Sequence, residues 1–165
     1  MQQRKHCNSL PKIWNISKTI DDKRGCSFPL IFLGTDAMTI YLSKHDVMYI
    51  NQNILQQHGI QSHLINEHAL DSTLMRPQAA FYYQQADIIT QGALLIAGIA
   101  LAHAFLDGNK RTALIAGYDF FKINNYQMSV APLEFAYQIE AILIRQTHLD
   151  VVMQEFIVWL RSHIQ

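Results

Sequence analysis

The sequence predicts an all-α domain of about six helices, with a possible small β-hairpin in addition. Two long apolar runs of helical character, residues 92–102 and 112–123, are the first observation that favours this class. The second is a series of Ser, Asp, Asn, Gly and Pro residues at positions typical of helix ends. Together these signals divide residues 40–165 into helices joined by short loops.

A capping signal opens the first predicted helix, because Ser43 is followed three residues later by Asp46. The helix should run to about His58, after a short extended lead over residues 40–42. Gly59 should end it, since glycine takes the left-handed conformation found just past helix ends. Its buried stripe should consist of Val47, Ile50, Ile54 and Leu55.

The second predicted helix spans Asn66 to Met75. It should stop before Pro77, because proline removes a backbone donor and clashes with the preceding turn. A linker over residues 77–85 should follow, with the aromatic ring of Phe81 packed on the core.

Asp87 should begin the third helix, which continues through Ala102. Its small residues would let neighbouring helices come close: Gly92, Ala93, Ala97, Gly98 and Ala100. Residues 92–102 form the longest apolar run, which is too short to span a bilayer and is typical of a buried core helix.

The fourth helix should start near Gly108 or Asn109, and Asn125 should end it in the left-handed conformation. Pro132 suits the first turn of a fifth helix that reaches Arg145.

Asp150 is expected to cap the sixth helix. We expect His148 and His163 to be exposed. The buried face of this helix should consist of Val151, Val152, Phe156, Trp159 and Leu160.

Length and composition indicate one folded domain, predicted to cover residues 40–165 after an N-terminal extension of unclear structure over residues 1–39. The formal net charge is +0, so nothing argues for binding to nucleic acid or to a membrane. The spacing of Cys7 and Cys26 fits no zinc motif, which favours a reducing, cytoplasmic setting.

Residues 103–114, His-Ala-Phe-Leu-Asp-Gly-Asn-Lys-Arg-Thr-Ala-Leu, place polar side chains between the two apolar runs. The N–H groups of Gly108 and Asn109 would lie at a helix start, where free donors and the positive end of the dipole favour a phosphate. Lys110 adds a point charge and Arg111 a planar fork, and both suit phosphate oxygens. This is not a Walker loop, because Asn109 separates the glycine from the lysine.

His103 and Asp107 add two further groups to this stretch. A histidine exchanges protons near neutral pH, so His103 is a candidate general base. The carboxylate of Asp107 is a candidate ligand for magnesium beside substrate phosphates. Taken singly, each of these residues is more often structural or solvated, and it is their combination that favours a site.

The same stretch resembles the signature of the Fic/Doc (Fido) superfamily, His-x-Phe-x-[Asp/Glu]-Gly-Asn-x-Arg. Lys110 and Leu114 resemble the residues found at these positions in the death-on-curing (Doc) branch of the superfamily. Ala104 differs from the proline that is common directly after the histidine. The resemblance covers the chain from about Ile40 to its C-terminus. It implies that Phe105 anchors the loop, and that a flap near residues 77–85 docks the target chain.

The resemblance further implies a toxin of a type II toxin–antitoxin system that uses ATP and Mg²⁺. Such a toxin would transfer the γ-phosphate to a Ser, Thr or Tyr hydroxyl of a target protein of the translation apparatus. AMP transfer is the alternative chemistry, and a non-catalytic Fido-fold binding module is the alternative class. The long cation of Lys110 and the absence of a donor at Leu114 favour γ-phosphate transfer over the AMP transfer of Fic enzymes.

Control by a separate antitoxin is also expected. Many Fic proteins carry an inhibitory helix with the pattern [Ser/Thr]-x-x-x-Glu, and no Ser or Thr of this sequence is followed four positions later by Glu. We therefore predict inhibition in trans.

Overall fold

The computed structural model describes residues 39–145 and 148–165, and six α-helices form that part of the chain. They are Lys44–Gln56 (α1), Glu67–Gln84 (α2), Ile88–Leu101 (α3), Asn109–Ile123 (α4), Pro132–Ile144 (α5) and Leu149–His163 (α6). The all-α prediction is confirmed. Within the described residues the predicted hairpin is absent, and β-pairing is limited to two isolated antiparallel bridges, Leu64 with Phe105 and Met128 with Ile164. The predicted extension lies outside the described residues except for Thr39.

Helix α3 lies at the centre of the fold and packs against α2, α4, α5 and α6. Two of its glycines explain the close approach of its neighbours. A Cβ atom on Gly92 would lie 2.2 Å from Cζ of Phe121, and one on Gly98 would lie 2.7 Å from Cγ2 of Thr73. The prediction that small residues admit neighbouring helices is confirmed at these two positions.

Local signals set the ends of α1 as predicted. Ser43 accepts a hydrogen bond from the backbone of Asp46, and the Asp46 side chain accepts one from the backbone of Ser43. After the last regular turn, the N–H of Gly59 bonds to the carbonyl of Gln56 and the N–H of Ile60 bonds to that of Leu55. This is a Schellman ending with Gly59 at φ 70°.

Helix α2 continues through Pro77 to Gln84, so the predicted end at Met75 is wrong. Proline inside a helix costs about 3 kcal/mol. The buried face of α2 continues across the proline, with Leu70 and Leu74 before it and Pro77 and Ala80 at and after it. Packing of this face against α3 therefore outweighs the lost backbone hydrogen bond.

The aromatic residues at the end of α2 face outward. Phe81 is 46% exposed, Tyr82 75% and Tyr83 87%. The prediction that Phe81 packs on the core is wrong. Because the helix continues past Pro77, its buried face falls on Pro77 and Ala80 and turns the ring of Phe81 towards solvent.

The later helices follow their predicted starts closely. Asn125 has φ 66°, Pro132 is the first residue of α5, and Arg145 is its C-cap. Helix α6 begins one residue before Asp150, which lies in the first turn, where a negative charge faces the positive end of the helix. The predicted capping role of Asp150 is therefore wrong.

The buried face of α6 is narrower than predicted. Val152, Phe156 and Leu160 recur every four residues and are buried, which leaves Val151 55% exposed on a neighbouring face. His163 is only partly exposed, with Nδ1 2.8 Å from the carbonyl oxygen of Trp159. His148 is exposed, as predicted. In the portions of the chain that the structure describes, no helix has the length and apolar character needed to cross a membrane.

Candidate functional site

The loop between α3 and α4, residues 102–108, is held by its own backbone and by Asn109. Phe105 is 2% exposed, and its N–H donates to Oδ1 of Asn109 at 3.0 Å. Nδ2 of Asn109 donates in return to the carbonyl of Phe105 at 2.7 Å. Phe105 is thus the predicted anchor. Both polar atoms of the Asn109 side chain are bonded to the backbone of the loop. A phosphate at this helix start would therefore contact the backbone N–H of Asn109 and not its side chain.

An extended segment, residues 60–66, runs beside this loop. The N–H groups of Ile65 and Asn66 both donate to the carbonyl of Ala104, at 2.8 and 3.1 Å. The N–H of Leu106 donates to the carbonyl of His63 at 3.0 Å. The predicted flap at residues 77–85 is wrong, because residues 77–84 belong to α2 and the chain beside the loop is 60–66.

His103 follows the end of α3 with an exposed side chain and a φ of 45°. A positive φ is uncommon outside glycine and is found disproportionately at functional sites. The carbonyl of the next residue, Ala104, is the acceptor that holds segment 60–66. This conformation carries the imidazole out of the end of α3 into solvent.

The start of α4 is where the sequence predicts an anion site, and a carboxylate of the protein contacts it. Gly108 is the N-cap, with φ 84° and no side-chain cap. Its N–H donates to Oδ1 of Asp107 at 2.5 Å. Nη2 of Arg111 lies 3.3 and 3.2 Å from the two oxygens of the same carboxylate. Asp107 therefore lies where an N–H group and a guanidinium would meet a phosphate.

Lys110 points from the first turn of α4 towards α5. Its Nζ lies 3.1 Å from Oε1 of Glu140, and both side chains are about half exposed. The structure thus places the six predicted site residues on one loop and one helical turn, with the two cations paired to carboxylates.

The donor set at this loop allows magnesium on one condition. In the described residues, no group of three or more His, Cys, Asp or Glu side chains could hold a metal ion. Asp107 is the carboxylate of the loop. Because Mg²⁺ commonly binds through one or two carboxylates together with substrate phosphates and water, Asp107 fits this ion when the substrate supplies the remaining ligands.

Comparison with known proteins assigns the family. Residues 41–121 match the family model described as the Fic/DOC family. The chain is also 34% identical over 94 residues to Toxin Doc of Mycolicibacterium smegmatis, a match that covers 56% of this chain and 70% of that protein. This chain belongs to the Fic/DOC family. The matched residues of this Fic/DOC chain extend from the lead into α1 to Phe121 in α4, and so include the whole loop.

The sequence reasoning missed Asn51, a residue of this Fic/DOC chain that contacts the loop from behind. Asn51 is on α1 and is 0% exposed. Its Nδ2 donates to the carbonyl of Asp107 and to Oγ1 of Thr112, both at 3.0 Å. Its Oδ1 accepts from Oγ of Ser62 at 2.5 Å. The available signal was a polar residue in the apolar stripe of α1.

Asp119 was also missed. It lies on α4, is 7% exposed, and its Oδ2 has no hydrogen-bond partner among the described residues. Burial raises its pKa from 3.8 to about 6, an effect that Lys122 opposes and Asp46 reinforces. Asp119 therefore binds a proton more readily in the folded protein than in an unfolded chain.

Proposed function

We propose that this chain is the toxin of a type II toxin–antitoxin pair and transfers the γ-phosphate of ATP to a hydroxyl of a target protein. The target would be a cytoplasmic protein of translation with an accessible Ser, Thr or Tyr. One observation carries the proposal: an exposed imidazole, a carboxylate and two cations surround a glycine-capped helix start. Membership of the Fic/DOC family and the name of the Mycolicibacterium smegmatis relative support the toxin role.

In this mechanism His103 acts as the general base. Its imidazole takes the proton from the target hydroxyl, whose oxygen forms a bond to the γ-phosphorus. The bond from that phosphorus to the β–γ bridging oxygen breaks, and ADP leaves with the electron pair. The N–H groups of Gly108 and Asn109, with Lys110 and Arg111, stabilise the negative charge on the phosphate oxygens.

Asp107 would exchange partners when ATP binds. In the structure it pairs with Arg111 in a contact whose two side chains are 52% and 44% exposed. An ion pair this exposed contributes about 0–1 kcal/mol, so opening it costs little. Asp107 would then hold Mg²⁺, which supplies positive charge to the phosphates, and Arg111 would be free to bind phosphate oxygens.

The identity of the transferred group depends on Lys110 and Leu114. Leu114 is partly buried against the core, so α4 offers no hydrogen-bond donor at that position. This absence disfavours a triphosphate held in the pose of an AMP-transferring enzyme. AMP transfer is the alternative chemistry, and the pairing of Lys110 with Glu140 gives this long side chain a contact on α5.

ATP labelled separately at the α and the γ phosphate tests the proposal. The chain is incubated with bacterial lysate, Mg²⁺ and each form of ATP, and labelled proteins are identified by mass spectrometry. Label from the γ position alone supports phosphate transfer. Label from the α position with an added AMP mass overturns it in favour of AMP transfer, and no label from either overturns both.

Replacing Glu140 with glutamine should increase the affinity for ATP two- to fivefold. The substitution removes a negative charge beside the incoming phosphates and frees Lys110 from its partner. For half-exposed charges such effects are about 0.5–1 kcal/mol. Isothermal titration calorimetry with ATP and Mg²⁺ measures the change.

The matched control for this prediction is Glu134→Gln. Glu134 is on the same helix and is similarly exposed, but it faces His163 at 3.8 Å and not Lys110. Its affinity for ATP should stay at the wild-type value. Weaker ATP binding by Glu140→Gln would show that the carboxylate supports the site and does not compete for it.

Inhibition is expected to come from a separate antitoxin that covers the loop. The described helices carry no Ser or Thr followed four positions later by Glu, so none can supply the family's inhibitory pattern from within. The purified chain should therefore modify its target without prior truncation, and a small protein in trans should stop it. A chain that becomes active only after deletion of part of its own sequence contradicts this expectation.

A further inference from the structure

We infer that Asn51 is a positioning residue for the loop that carries His103 and Asp107. It lies on α1, outside the sequence signature, and is fully buried. Its one side-chain amide joins three parts of the site: the loop, the first turn of α4 and segment 60–66. It cannot contact a substrate from this depth, so any role in the reaction is exerted through the residues it holds.

The contact with Asp107 determines the direction of a backbone donor. The peptide unit between Asp107 and Gly108 is planar, and its carbonyl and N–H point in opposite directions. Asn51 holds the carbonyl towards α1 at 3.0 Å. The N–H of Gly108 is therefore directed away from α1, to the place where the carboxylate of Asp107 accepts it at 2.5 Å. In the proposed function a phosphate of ATP occupies that place. The expected effect on the transfer rate therefore rests on the proposed function.

The fit between Asn51 and Gly108 is close. A Cβ atom on Gly108 would lie 2.8 Å from Nδ2 of Asn51 and 3.4 Å from Cδ2 of Leu55. The left-handed conformation of Gly108, with φ 84°, is one that a side chain rarely adopts. The glycine and the asparagine together leave one arrangement of this peptide against α1.

The other two contacts of Asn51 hold the first turn of α4 and segment 60–66 in place. Thr112 accepts from Nδ2, and its own N–H donates to the carbonyl of Gly108 at 2.8 Å, so the first turn of α4 is fixed to α1. Ser62 donates to Oδ1, which secures segment 60–66 beside the loop. With both amide hydrogens and the oxygen engaged, the Asn51 side chain has a single orientation.

A buried amide can also serve stability alone, and Gln91 provides the control for that explanation. Gln91 is 2% exposed and lies at the start of α3, at the end opposite the loop. Its Oε1 accepts from the hydroxyl of Tyr41 and its Nε2 donates to the carbonyl of Ala86, both at 2.8 Å. It therefore matches Asn51 in chemistry and burial while lying away from the site.

The experiment compares Asn51→Leu with Gln91→Met in the full chain. Three quantities are measured: the melting temperature, the transfer rate at saturating ATP, and the ¹H–¹⁵N resonance of Gly108. Asn51→Leu should lower the rate at least about tenfold and shift the Gly108 resonance. Gln91→Met should lower the melting temperature comparably, keep the rate within about twofold and leave that resonance in place.

The inference is overturned if folded Asn51→Leu keeps the wild-type Gly108 resonance, or if Gln91→Met changes rate and resonance to the same degree. Should Asn51→Leu prove unfolded by circular dichroism, Asn51→Asp replaces it under the same criteria. That variant keeps the shape and the acceptor for Ser62, and it replaces the donating nitrogen with an oxygen of a buried carboxyl group. If the wild-type chain transfers nothing, the proposed function fails, while the Gly108 resonance still decides the positioning role.

Discussion

Replacing His103 with alanine is expected to lower the transfer rate about 10²–10⁴-fold, the usual loss when a general base is removed. The fold should survive, because the imidazole is exposed and the loop is held by Phe105, Asn109 and Asn51. The measurements are the rate of target labelling, growth inhibition on expression, and the melting temperature.

Two further variants make this result specific. At φ 45° an alanine is strained, whereas asparagine tolerates the left-handed region, so His103→Asn should lose activity with a smaller loss of stability. His45→Ala changes another exposed histidine, on α1, and should keep wild-type activity. Undiminished toxicity in both His103 variants would remove this residue from the mechanism.

Replacing Asp119 with asparagine is expected to stabilise the protein at pH 8 by up to about 3 kcal/mol. The pKa of Asp119 rises from 3.8 to about 6 on folding, mainly through burial. Each pKa unit corresponds to about 1.36 kcal/mol between the two protonation states. The folded state therefore loses stability as this carboxyl ionises, and asparagine retains its shape without the charge.

The sign of this effect sets its pH dependence. Because the folded protein binds the Asp119 proton more tightly, its contribution to stability falls as the pH rises from about 4 to about 6 and stays low above that. Asp119→Asn cannot ionise, so its stability should not change with pH through this group. The urea midpoint of the variant should exceed that of the wild type by a large amount at pH 8 and by a small amount at pH 4.5. Asp150→Asn, an exposed change on α6, is the control. An equal gain at both pH values would refute the assignment to ionisation.

The helix starts could be predicted because their signals are local. Ser43 with Asp46 caps α1, Gly108 is the N-cap of α4, and Pro132 is the first residue of α5. Each of these signals acts within one turn of the helix start. The length of α2 could not, because the packing of residues on both sides of Pro77 against α3 decides it.

The candidate site likewise has a part that local sequence reveals and a part that depends on contacts between residues distant in sequence. Its polar residues are contiguous in sequence and could be found as a motif, and the family comparison supports that motif. Asn51 could not be assigned in this way, since its partners Asp107 and Thr112 lie 56 and 61 positions away. The pairing of Lys110 with Glu140, 30 positions on, is likewise a product of how α4 meets α5.

Both cations of the loop have a carboxylate neighbour, Arg111 with Asp107 and Lys110 with Glu140. A small anion such as chloride or sulfate would exchange one modest surface contact for another and gain little free energy. Under the proposed function a triphosphate with its divalent cation would differ, because Asp107 would hold the metal while Lys110 and Arg111 would contact the phosphates. Under the proposed function, the loop would therefore distinguish anions by their charge and by the metal they carry. Monovalent and divalent anions would compete poorly with the metal–nucleotide complex.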